Sequence, residues 1–327
     1  MVLLLSRNDI ESFLTIQDTI EVVEEAFKEY ERGTVKMPLR PVIKVEKHGG
    51  SVLYMPALLE GMGALGVKVV SVYAKNPTEY NLPTTIGVVL LNDPKNGSPI
   101  AIMDGSFLTA MRTGAVSGVA TKYLSRKNSK ELGIIGTGVQ GRTQVAAVCK
   151  VRPIEKVKAY DIAPDRCSQF CKQISKDLGV QSVQTHSSEE AVRNSDIVIT
   201  SSSSKEPVLK SEWLDVGTHI NAIGSHTPDA REIDATTIKR AKVIVDSREA
   251  ALREAGDIMT PIAQGIITPE HIFAELGEIV TGKKHGREND DEITLFKSQG
   301  LAIQDVSTAW RIYELARKKG IGKSVTL

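Results

Sequence analysis

Three glycines in the middle of the chain have the spacing of a phosphate-binding loop. Gly136, Gly138 and Gly141 follow the apolar run 131–135 and precede 142–151, whose apolar residues suit a helix. In such a strand, turn and helix, the first glycine permits the turn, the second admits a pyrophosphate and the third allows close packing. The phosphates then lie at the helix N-terminus. The predicted dinucleotide-binding residues of this loop are Gly136, Thr137, Gly138, Val139, Gln140 and Gly141.

An acidic residue ends the next apolar run, at a distance that suits the same cofactor. Residues 156–160 lead to Asp161, about 20 residues after the last glycine, where an acid can accept the ribose 2′-hydroxyl of NAD. Because an acid repels a 2′-phosphate, Asp161 predicts NAD(H) as the preferred cofactor, and the nearby Arg166 leaves NADP(H) open. The adjacent Ile162 is a further predicted cofactor contact. The alternatives are a glycine-rich turn in another parallel sheet and an Asp161 that only caps the following helix start.

From residue 131 onward, strands and helices alternate, which predicts an α/β fold with a doubly wound parallel Rossmann sheet. The predicted strands lie around 134 and at 157–160, 181–184, 197–200, 219–223 and 243–246. Ligands bind beyond the carboxyl ends of strands in such sheets. The small and polar residues at those ends are further predicted cofactor contacts, namely Thr200, Ser201, Ser202, Ala222, Gly224 and Ser225.

The first third of the chain has a different pattern. The alternating stretches 42–45, 51–56, 64–72 and 85–91 follow one another without helices, which predicts an antiparallel or mixed sheet. Amphipathic helices are predicted at 16–30 and 300–318, and an apolar helix at 107–124 is expected to bridge two domains. The 327 residues suit two domains. The predicted domains are residues 1–115 with 302–327, a smaller α+β domain, and residues 116–301, the Rossmann domain.

The composition is that of an ordinary globular protein. Charged residues at 25%, hydrophobic residues at 41% and a formal net charge of +1 give no reason to expect nucleic acid or a membrane surface as a partner. The apolar run 1–5 is too short for a signal sequence and predicts a strand. The three cysteines have no second pair of metal ligands beside them, so we expect reduced thiols in a cytoplasmic protein and no metal site.

Eight short segments, taken in order, resemble the ornithine cyclodeaminase and mu-crystallin family. They are the glycine loop and residues 38–40, 55–57, 66–68, 82–85, 111–115, 219–224 and 300–305. The match runs nearly end to end, and the ordered set is far more specific than any single motif. The resemblance implies a Rossmann domain, a substrate domain that forms a homodimer, and nicotinamide chemistry that interconverts amino acids with imino or keto acids.

The resemblance also implies which residues act on the substrate. It assigns Arg40, Lys68 and Arg112 to catalysis and to the substrate carboxylate. An arginine can hold a carboxylate with two parallel hydrogen bonds, whereas Lys68 supplies a point charge and can share a proton with the substrate nitrogen if burial lowers its pKa. The alternative for each cation is an ordinary surface position. The implied substrate contacts are Arg40, Met55, Lys68, Thr84, Arg112 and His226, and the implied additional cofactor contacts are Arg112, Thr113 and Asp305.

One position departs from the cyclodeaminases of the family. Where they carry an aspartate that acts on the substrate amine, after the strand at 219–223, this sequence has His226. A carboxylate that could hold an ammonium group is therefore missing, which does not favour cyclodeamination. The Pro-Asp-x-Arg-Glu pattern at 228–232 instead resembles mu-crystallin, a ketimine reductase. His226 is predicted either to supply a proton as a catalytic residue or only to line the pocket.

The predicted function is NAD(H)-dependent reduction of cyclic ketimines in proline metabolism. The substrates would be Δ1-pyrroline-2-carboxylate, Δ1-piperideine-2-carboxylate or both, and the products L-proline and L-pipecolate. The first alternative is an alanine dehydrogenase that uses pyruvate and ammonia, because fold and cofactor would be the same. An ornithine cyclodeaminase and a ligand-binding protein without catalysis are less favoured.

Overall fold

A computed structural model of the chain describes residues 1–326, and Leu327, the last residue of the predicted first domain, lies outside the described residues. Tertiary contacts divide the chain into two compact units. The first unit is Met1–Arg112 with the described residues from Leu301 onward, and the second unit is Thr113–Gly300. The predicted boundaries after residues 115 and 301 therefore fall three residues and one residue later than these. The roles predicted for the two domains stay predictions.

The secondary structure follows the predicted order closely. The strands are β1 (Val2–Leu5), β2 (Val35–Lys36), β3 (Val42–Val45), β4 (Gly50–Leu59), β5 (Ala64–Tyr73), β6 (Thr85–Asn92), β7 (Pro99–Asp104), β8 (Glu131–Ile135), β9 (Lys156–Tyr160), β10 (Gln181–Gln184), β11 (Ile197–Thr200), β12 (His219–Ala222), β13 (Lys242–Val245), β14 (Ile272–Glu275), β15 (Thr294–Lys297) and β16 (Lys323–Val325). The helices are α1 (Arg7–Glu11), α2 (Ile16–Glu31), α3 (Asn76–Glu79), α4 (Gly105–Leu124), α5 (Val139–Val151), α6 (Pro164–Leu178), α7 (Ser188–Val192), α8 (Ala235–Arg240), α9 (Arg248–Glu254), α10 (Gly256–Ala263), α11 (Leu276–Val280) and α12 (Ala302–Lys319).

The sheet of the first unit is mixed. Its strand order is β16-β1-β7-β6-β5-β4-β2, with β3 also paired to β4. Strand β1 runs parallel to β7, and the other pairs are antiparallel. The two alternatives of an antiparallel and a mixed sheet are thereby resolved in favour of the mixed one. The short β2 and β16 were not predicted from the sequence.

Side-chain alternation gives this sheet two different faces. Along β5, Ala64, Gly66, Lys68 and Val70 are buried, whereas the residues between them are only partly buried. Cross-strand pairing places Met55 of β4 and Val89 of β6 beside Lys68. Because side chains alternate between the faces of a strand, the charged Lys68 belongs to the row that faces the protein interior.

Helix α12 covers the buried face of that sheet. It packs against β4, β5, β6 and α2. Its apolar positions Ile303, Val306 and Ile312 are fully buried, as amphipathic spacing predicts. Gln304 and Asp305, in the first turns of α12, are fully buried as well. Buried polar side chains need partners, so these two residues mark a polar site inside the first unit.

The second unit contains the predicted parallel sheet. Its strand order is β10-β9-β8-β11-β12-β15-β13-β14, and every pair is parallel. All six predicted strands are present, but the prediction of only six was wrong because β14 and β15 were missed. Strand β15 has two apolar residues, Leu295 and Phe296, and follows the charged run 288–292, so no strand pattern of useful length is visible.

Helices cover both faces of this sheet. Ile197 and Ile199 of β11 pack with Val145 and Phe170 from α5 and α6. Val198, between them, packs on the other side with Ile238 of α8 and Ile258 of α10. A strand buried on both faces is an uninterrupted apolar run, which explains why the Ile-Val-Ile-Thr segment was predicted with its observed bounds. The architecture is doubly wound α/β.

Candidate active site

Lys68, Arg112 and Asp305 form a buried charge cluster in the first unit. Lys68 Nζ lies 2.8 Å from Asp305 Oδ1, and Arg112 Nε lies 2.9 Å from the same oxygen. Lys68 is only 1% exposed, Asp305 is fully buried and Arg112 is 7% exposed. Two cations therefore share one carboxylate, and the cluster carries a surplus of one positive charge.

Helix α12 supplies a second partner for the arginine. Arg112 Nη1 donates a 2.7 Å hydrogen bond to Gln304 Oε1. Within residues 1–326, Asp305 Oδ2 and Gln304 Nε2 have no hydrogen-bond partner although both atoms are buried. Buried polar atoms are normally satisfied, so Asp305 Oδ2 and Gln304 Nε2 can each accept a further polar partner at this cluster.

The environment of Lys68 changes its proton affinity. Burial lowers the pKa of Lys68 to about 8, the positive charges of Arg112 and Arg40 act in the same direction, and Asp305 opposes them. A lysine with such a pKa is largely charged at neutral pH yet releases its proton far more readily than an exposed lysine. This is the behaviour that was expected of Lys68 if it is buried.

The other predicted substrate contacts lie at different distances from the cluster. Arg40 lies ahead of β3, close enough to act on Lys68 electrostatically, and Met55 is the buried cross-strand partner of Lys68. Thr84 is exposed, and its neighbour Thr85 pairs with Val72. Val72 is four residues from Lys68, about 13 Å along β5, so Thr84 lies away from the cluster. The substrate role of Thr84 stays a prediction.

The glycine loop has the local geometry that a dinucleotide phosphate needs. Gly136 follows β8 with φ of +98°, and a side chain there would come within 2.6 Å of the Ser201 carbonyl oxygen. A side chain on Gly141 would come within 2.7 Å of the Gly136 carbonyl oxygen, whereas Gly138 faces open space. Gly138 is also the N-cap of α5 and offers no side-chain cap, so the N–H groups of the first turn are available. These residues fit a bound pyrophosphate.

Asp161 ties the loop to the end of β9. Its Oδ2 accepts hydrogen bonds from Thr137 N and Thr137 Oγ1, both at 2.8 Å, and its Oδ1 accepts one from Ala163 N at 2.9 Å. Arg166 forms an ion pair with the same carboxylate. Burial alone would raise the pKa of Asp161, but the bonds from Arg166, Ala163 and Thr137 lower it to about 2. Asp161 therefore binds the N–H group of Ala163, the N-cap residue of α6, and also fixes Thr137, while α6 itself has no side-chain cap. Its contact with a ribose stays a prediction.

Two apolar side chains are exposed beside this loop. Val139 is 73% exposed and Ile162 is 86% exposed. Exposed apolar side chains at the carboxyl edge of an α/β sheet suit contact with a flat ring system. Gln140, the next residue of the loop, is partly buried. The backbone carbonyl of Thr113, another predicted cofactor residue, accepts a 2.8 Å bond from Gln144 Nε2 on α5.

A second buried charge cluster supports the predicted cofactor residues after β11 and β12. The fully buried Glu232 carboxylate accepts hydrogen bonds from Ser202 N at 2.6 Å, Gly224 N at 2.6 Å, Thr200 Oγ1 at 3.0 Å and Ser225 N at 3.2 Å. Burial raises the pKa of Glu232, although these donors favour its charged form. Glu232 thus joins the ends of two neighbouring strands.

The same cluster contains two residues, Asp257 and Lys297, that no sequence pattern indicated. Asp257 Oδ1 accepts bonds from Glu232 N at 2.7 Å and Ile233 N at 2.9 Å, and Lys297 Nζ lies 3.0 Å from Asp257 Oδ2. All three charged residues are fully buried. The sequence indicated Glu232 only weakly, as the last residue of the 228–232 motif. Residue spacing cannot show that a charged side chain is buried.

Two predicted site residues have surroundings that the sequence did not indicate. His226 is exposed in the second unit, and its Nδ1 lies 3.1 Å from the Gly224 carbonyl oxygen. Asp305 was predicted to contact the cofactor, and the structure places it between Lys68 and Arg112 in the first unit. Its contact with a cofactor stays a prediction.

The described residues form neither a metal-ligand cluster nor a membrane-spanning helix. No three histidine, cysteine or acidic side chains gather as metal ligands in the described part of the chain. Among residues 1–326, no helix is both long enough and apolar enough to span a membrane.

The parallel sheet has a glycine loop after β8 and the hydrogen-bonded Asp161 after β9. These features are those of a Rossmann-type dinucleotide-binding protein. A profile of the ornithine cyclodeaminase/mu-crystallin family matches residues 1–320. The chain belongs to this family, and the family prediction is confirmed.

Known relatives are similar over nearly the whole chain. The Δ1-pyrroline-2-carboxylate reductase of Bacillus cereus is 41% identical over 324 residues, which are 99% of each protein. The structure of Thermococcus litoralis Δ1-pyrroline-2-carboxylate reductase in complex with NADH and L-proline superposes with a TM-score of 0.97 and 53% identity, covering 99% of this chain and 100% of that one. An archaeal alanine dehydrogenase, a dimer with bound NAD, superposes with a TM-score of 0.93 and 40% identity, covering 99% of both chains.

Proposed function

We propose that the chain is an NAD(H)-dependent reductase of cyclic ketimines, which converts Δ1-pyrroline-2-carboxylate, Δ1-piperideine-2-carboxylate or both to L-proline and L-pipecolate. Two relatives that share this activity by name align with 41% and 53% identity over nearly the full chain. The predictions of an oxidoreductase and of NAD(H) as its cofactor are supported by relatives solved with NADH or NAD. A role in proline metabolism follows as part of the proposal.

The observation that carries the proposal is the surplus positive charge beside Asp305. A buried unpaired charge is costly, so the cluster of Lys68, Arg112 and Asp305 gains when an anion joins it. The carboxylate of a cyclic imino acid is such an anion. Arg112 has a planar group that can hold it with directional hydrogen bonds, and Arg40 adds a further positive charge nearby.

Lys68 is suited to the proton that ketimine reduction involves. With a pKa of about 8, protonated Lys68 can donate its proton to the ring nitrogen of the ketimine, which leaves the lysine neutral and the C=N bond in its electrophilic iminium form. A charged lysine there is compatible with the substrate carboxylate because their charges are opposite. Lys68 can also release its proton at slightly alkaline pH, which suits the reverse oxidation of the amine.

The second unit has the residues that would hold the cofactor. The N–H groups at the start of α5 would bind the pyrophosphate, and Glu232 would keep the ends of β11 and β12 in position. Bound NADH supplies the hydride for the imine carbon. The protein then needs to orient the substrate, balance its carboxylate and exclude water.

The surroundings of His226 support reduction over cyclodeamination. No carboxylate occupies position 226, and the nearest acid along the chain, Asp229, is exposed and pairs with Lys205 at 3.4 Å. An exposed, paired carboxylate is a poor base for a substrate ammonium. We infer that ornithine is not the substrate, and the role of His226 as a proton donor or a pocket residue stays a prediction.

The outer face of the first sheet supports a homodimer as part of the proposal. Tyr54, Val69 and Val88 form one cross-strand row on the face opposite Lys68, and both Tyr54 and Val88 are exposed. Ile43 and Ile86, which have the same phase as that row, are also exposed. A contiguous exposed apolar surface is typical of an interface, and the archaeal alanine dehydrogenase relative is a dimer.

A cytoplasmic location also belongs to the proposal, because Cys149, Cys167 and Cys171 are all unpaired thiols.

The deciding experiment follows NADH absorbance with purified protein and four substrates. Δ1-pyrroline-2-carboxylate and Δ1-piperideine-2-carboxylate are each tested alone, pyruvate is tested with and without ammonia, and ornithine is tested with NAD. We expect NADH consumption with a cyclic ketimine and no ammonia. If neither of the two ketimines is turned over, the proposal is refuted.

Alanine dehydrogenase is the second candidate, because one relative of that activity is 40% identical with the same coverage. The same cation cluster would hold the carboxylate of pyruvate. The two activities differ in their nitrogen source. Consumption of NADH only when pyruvate and ammonia are both present would establish this candidate in place of the first.

A further inference from the structure

Gln304 is an uncharged residue among the buried charges of the first unit. It directly precedes Asp305 in α12 and is fully buried. Its Oε1 accepts the 2.7 Å bond from Arg112 Nη1, while Asp305 Oδ1 lies 2.9 Å from Nε of the same guanidinium. Two neighbouring residues of one helix thus contact two of the three guanidinium nitrogens. Nη2 takes part in neither contact, so it remains for a ligand.

The contact with Arg112 fixes the orientation of the Gln304 amide. A guanidinium has only donors, so the atom of Gln304 that faces it must be the oxygen. Gln304 therefore serves Arg112 as a neutral acceptor. A glutamate could accept the same bond, and that bond would be stronger because both partners would be charged.

The stability of the fold alone would favour a glutamate at position 304. Lys68, Arg112 and Asp305 leave a surplus of one positive charge in a buried place, and a second carboxylate would balance it. Position 304 also lies in the first turn of α12, where the helix dipole favours an acid. The amide keeps the hydrogen bond but leaves the charge unbalanced, so the surplus stays available to an anion.

We propose that Gln304 is a specificity-determining residue, which orients Arg112 and preserves the positive charge of the cluster for the substrate carboxylate. The proposal rests on the proposed ketimine reduction, in which this cluster holds an imino acid. The direction of the Arg112 donors and the net charge of the site are two separate properties, and one neutral side chain sets both.

The test measures binding of two planar ring compounds to the NADH-loaded protein by isothermal titration calorimetry. Pyrrole-2-carboxylate and pyrrole-2-carboxamide share one ring, differ in charge and have no C=N bond for a hydride to reduce. We expect the wild-type protein to bind the carboxylate more tightly. Gln304→Glu adds a negative charge about 6 Å from that carboxylate, which at an effective dielectric constant of about 20 should weaken its binding by about 100-fold. The affinity for the carboxamide should change far less.

The same variant separates this role from a purely structural one. Gln304→Glu should keep or raise the melting temperature, because it balances the buried charge, although carboxylate binding is lost. KM for the ketimine should rise by about the same factor as the loss of carboxylate affinity, whereas kcat should change less, because the carboxylate is bound equally in the ground state and the transition state.

A second variant tests the orienting role by itself. Gln304→Met keeps the net charge of the cluster and removes the acceptor for Arg112 Nη1. It should weaken binding of pyrrole-2-carboxylate by about 3- to 10-fold, the range of one hydrogen bond. Unchanged affinity in Gln304→Met would overturn the orienting role.

Gln17→Glu is the matched control, because it makes the same chemical change on α2 of the same unit, where Gln17 Nε2 donates a 2.7 Å bond to Glu21 at the surface. It should leave the preference between the two compounds unchanged. The proposal is overturned if Gln304→Glu binds the carboxylate as tightly as the wild type, if it loses affinity equally for both compounds, or if the wild type does not prefer the carboxylate. Failure of the proposed function would instead appear as no ketimine turnover by a wild-type protein that still prefers the carboxylate.

Discussion

The two buried charge clusters of this protein have opposite compositions. Lys68, Arg112 and Asp305 place two cations around one carboxylate, whereas Glu232, Asp257 and Lys297 place two carboxylates around one cation. In the second cluster, backbone N–H groups and one hydroxyl saturate Glu232. In the first cluster, Asp305 Oδ2 and Gln304 Nε2 have no hydrogen bond within the described residues. Asp257 Oδ2 of the second cluster has no hydrogen bond either, but it is ion-paired with Lys297 at 3.0 Å, whereas Asp305 Oδ2 has neither kind of partner among the described residues.

Removing a cation should therefore have opposite consequences in the two clusters. Lys68→Ala should lower kcat/KM for the ketimine by about 1,000-fold, because the charge and the proton at the substrate are lost, while NADH affinity changes little. Steady-state kinetics and NADH titration measure the two effects. Lys36→Ala removes an exposed lysine that pairs with Glu60 and should behave as wild type. Near-wild-type turnover of Lys68→Ala would contradict the assignment.

Removal of the lysine in the second cluster should affect stability first. Lys297→Met leaves two buried carboxylates without their cation, and we expect a loss of about 3–5 kcal/mol in the free energy of unfolding. Urea denaturation measures it. The corresponding Lys68→Met should change stability far less, because Arg112 still pairs with Asp305.

A double variant checks the cause of that loss. Asp257→Asn combined with Lys297→Met removes the one of the two carboxylates that is ion-paired with Lys297, so it should recover part of the stability. Equal losses in the single and double variants would indicate a packing defect, and the contrast between the clusters would then lose its electrostatic basis.

A smaller effect is expected at the saturated carboxylate. Glu232→Gln keeps the shape but replaces an acceptor with an amide that opposes the N–H groups of Ser202 or Gly224. The expected loss is about 1–3 kcal/mol in unfolding free energy, together with weaker NADH binding, because the ends of β11 and β12 loosen. Glu206→Gln, at an exposed acid paired with Arg231, is the control. If Glu232→Gln changes neither the stability nor the NADH affinity, the hydrogen bonds accepted by the Glu232 carboxylate contribute no measurable free energy.

The pH profile should reveal the titration of Lys68. If the protonated lysine is the active form, kcat/KM for reduction falls above pH about 8, by about tenfold per pH unit. The lowered pKa of Lys68 also makes the free energy of unfolding depend on pH. Because burial penalises the charged lysine, its contribution to stability is least favourable below pH about 8 and improves as the pH rises toward its unfolded pKa.

Lys68→Arg separates this titration from that of the substrate. An arginine stays charged across the accessible range, so the alkaline fall should move to higher pH if Lys68 causes it. A fall at the same pH in both proteins would belong to the ketimine nitrogen instead.

The sequence predicted those parts of the fold in which local chemistry decides the structure. Gly136 must adopt a positive φ, and β11 is buried on both faces, so each leaves a local pattern. The short β15 leaves little pattern, because it gains its stability from neighbouring strands rather than from its own residues.

The charge clusters required the tertiary structure. Lys68 and Asp305 are 237 residues apart in sequence, so no spacing rule joins them. The alternation of β5 could have indicated that Lys68 faces inward, since it occupies the same phase as Ala64 and Val70. The saturation of Asp161 and Glu232 depends on backbone N–H groups, and the sequence does not reveal where those point.

The alternation of β5 has a consequence for how this chain tolerates insertions and deletions. Lys68 and Val69 are adjacent but belong to opposite faces, one with Met55 and Val89 and the other with Tyr54 and Val88. Deletion of one residue between Ala64 and Gly66 would exchange the two rows if pairing with β4 and β6 were otherwise kept. The lysine would then face outward, and a valine would replace it beside Asp305. A two-residue change would restore the phase, so the protein should accept length changes in this strand only in even numbers.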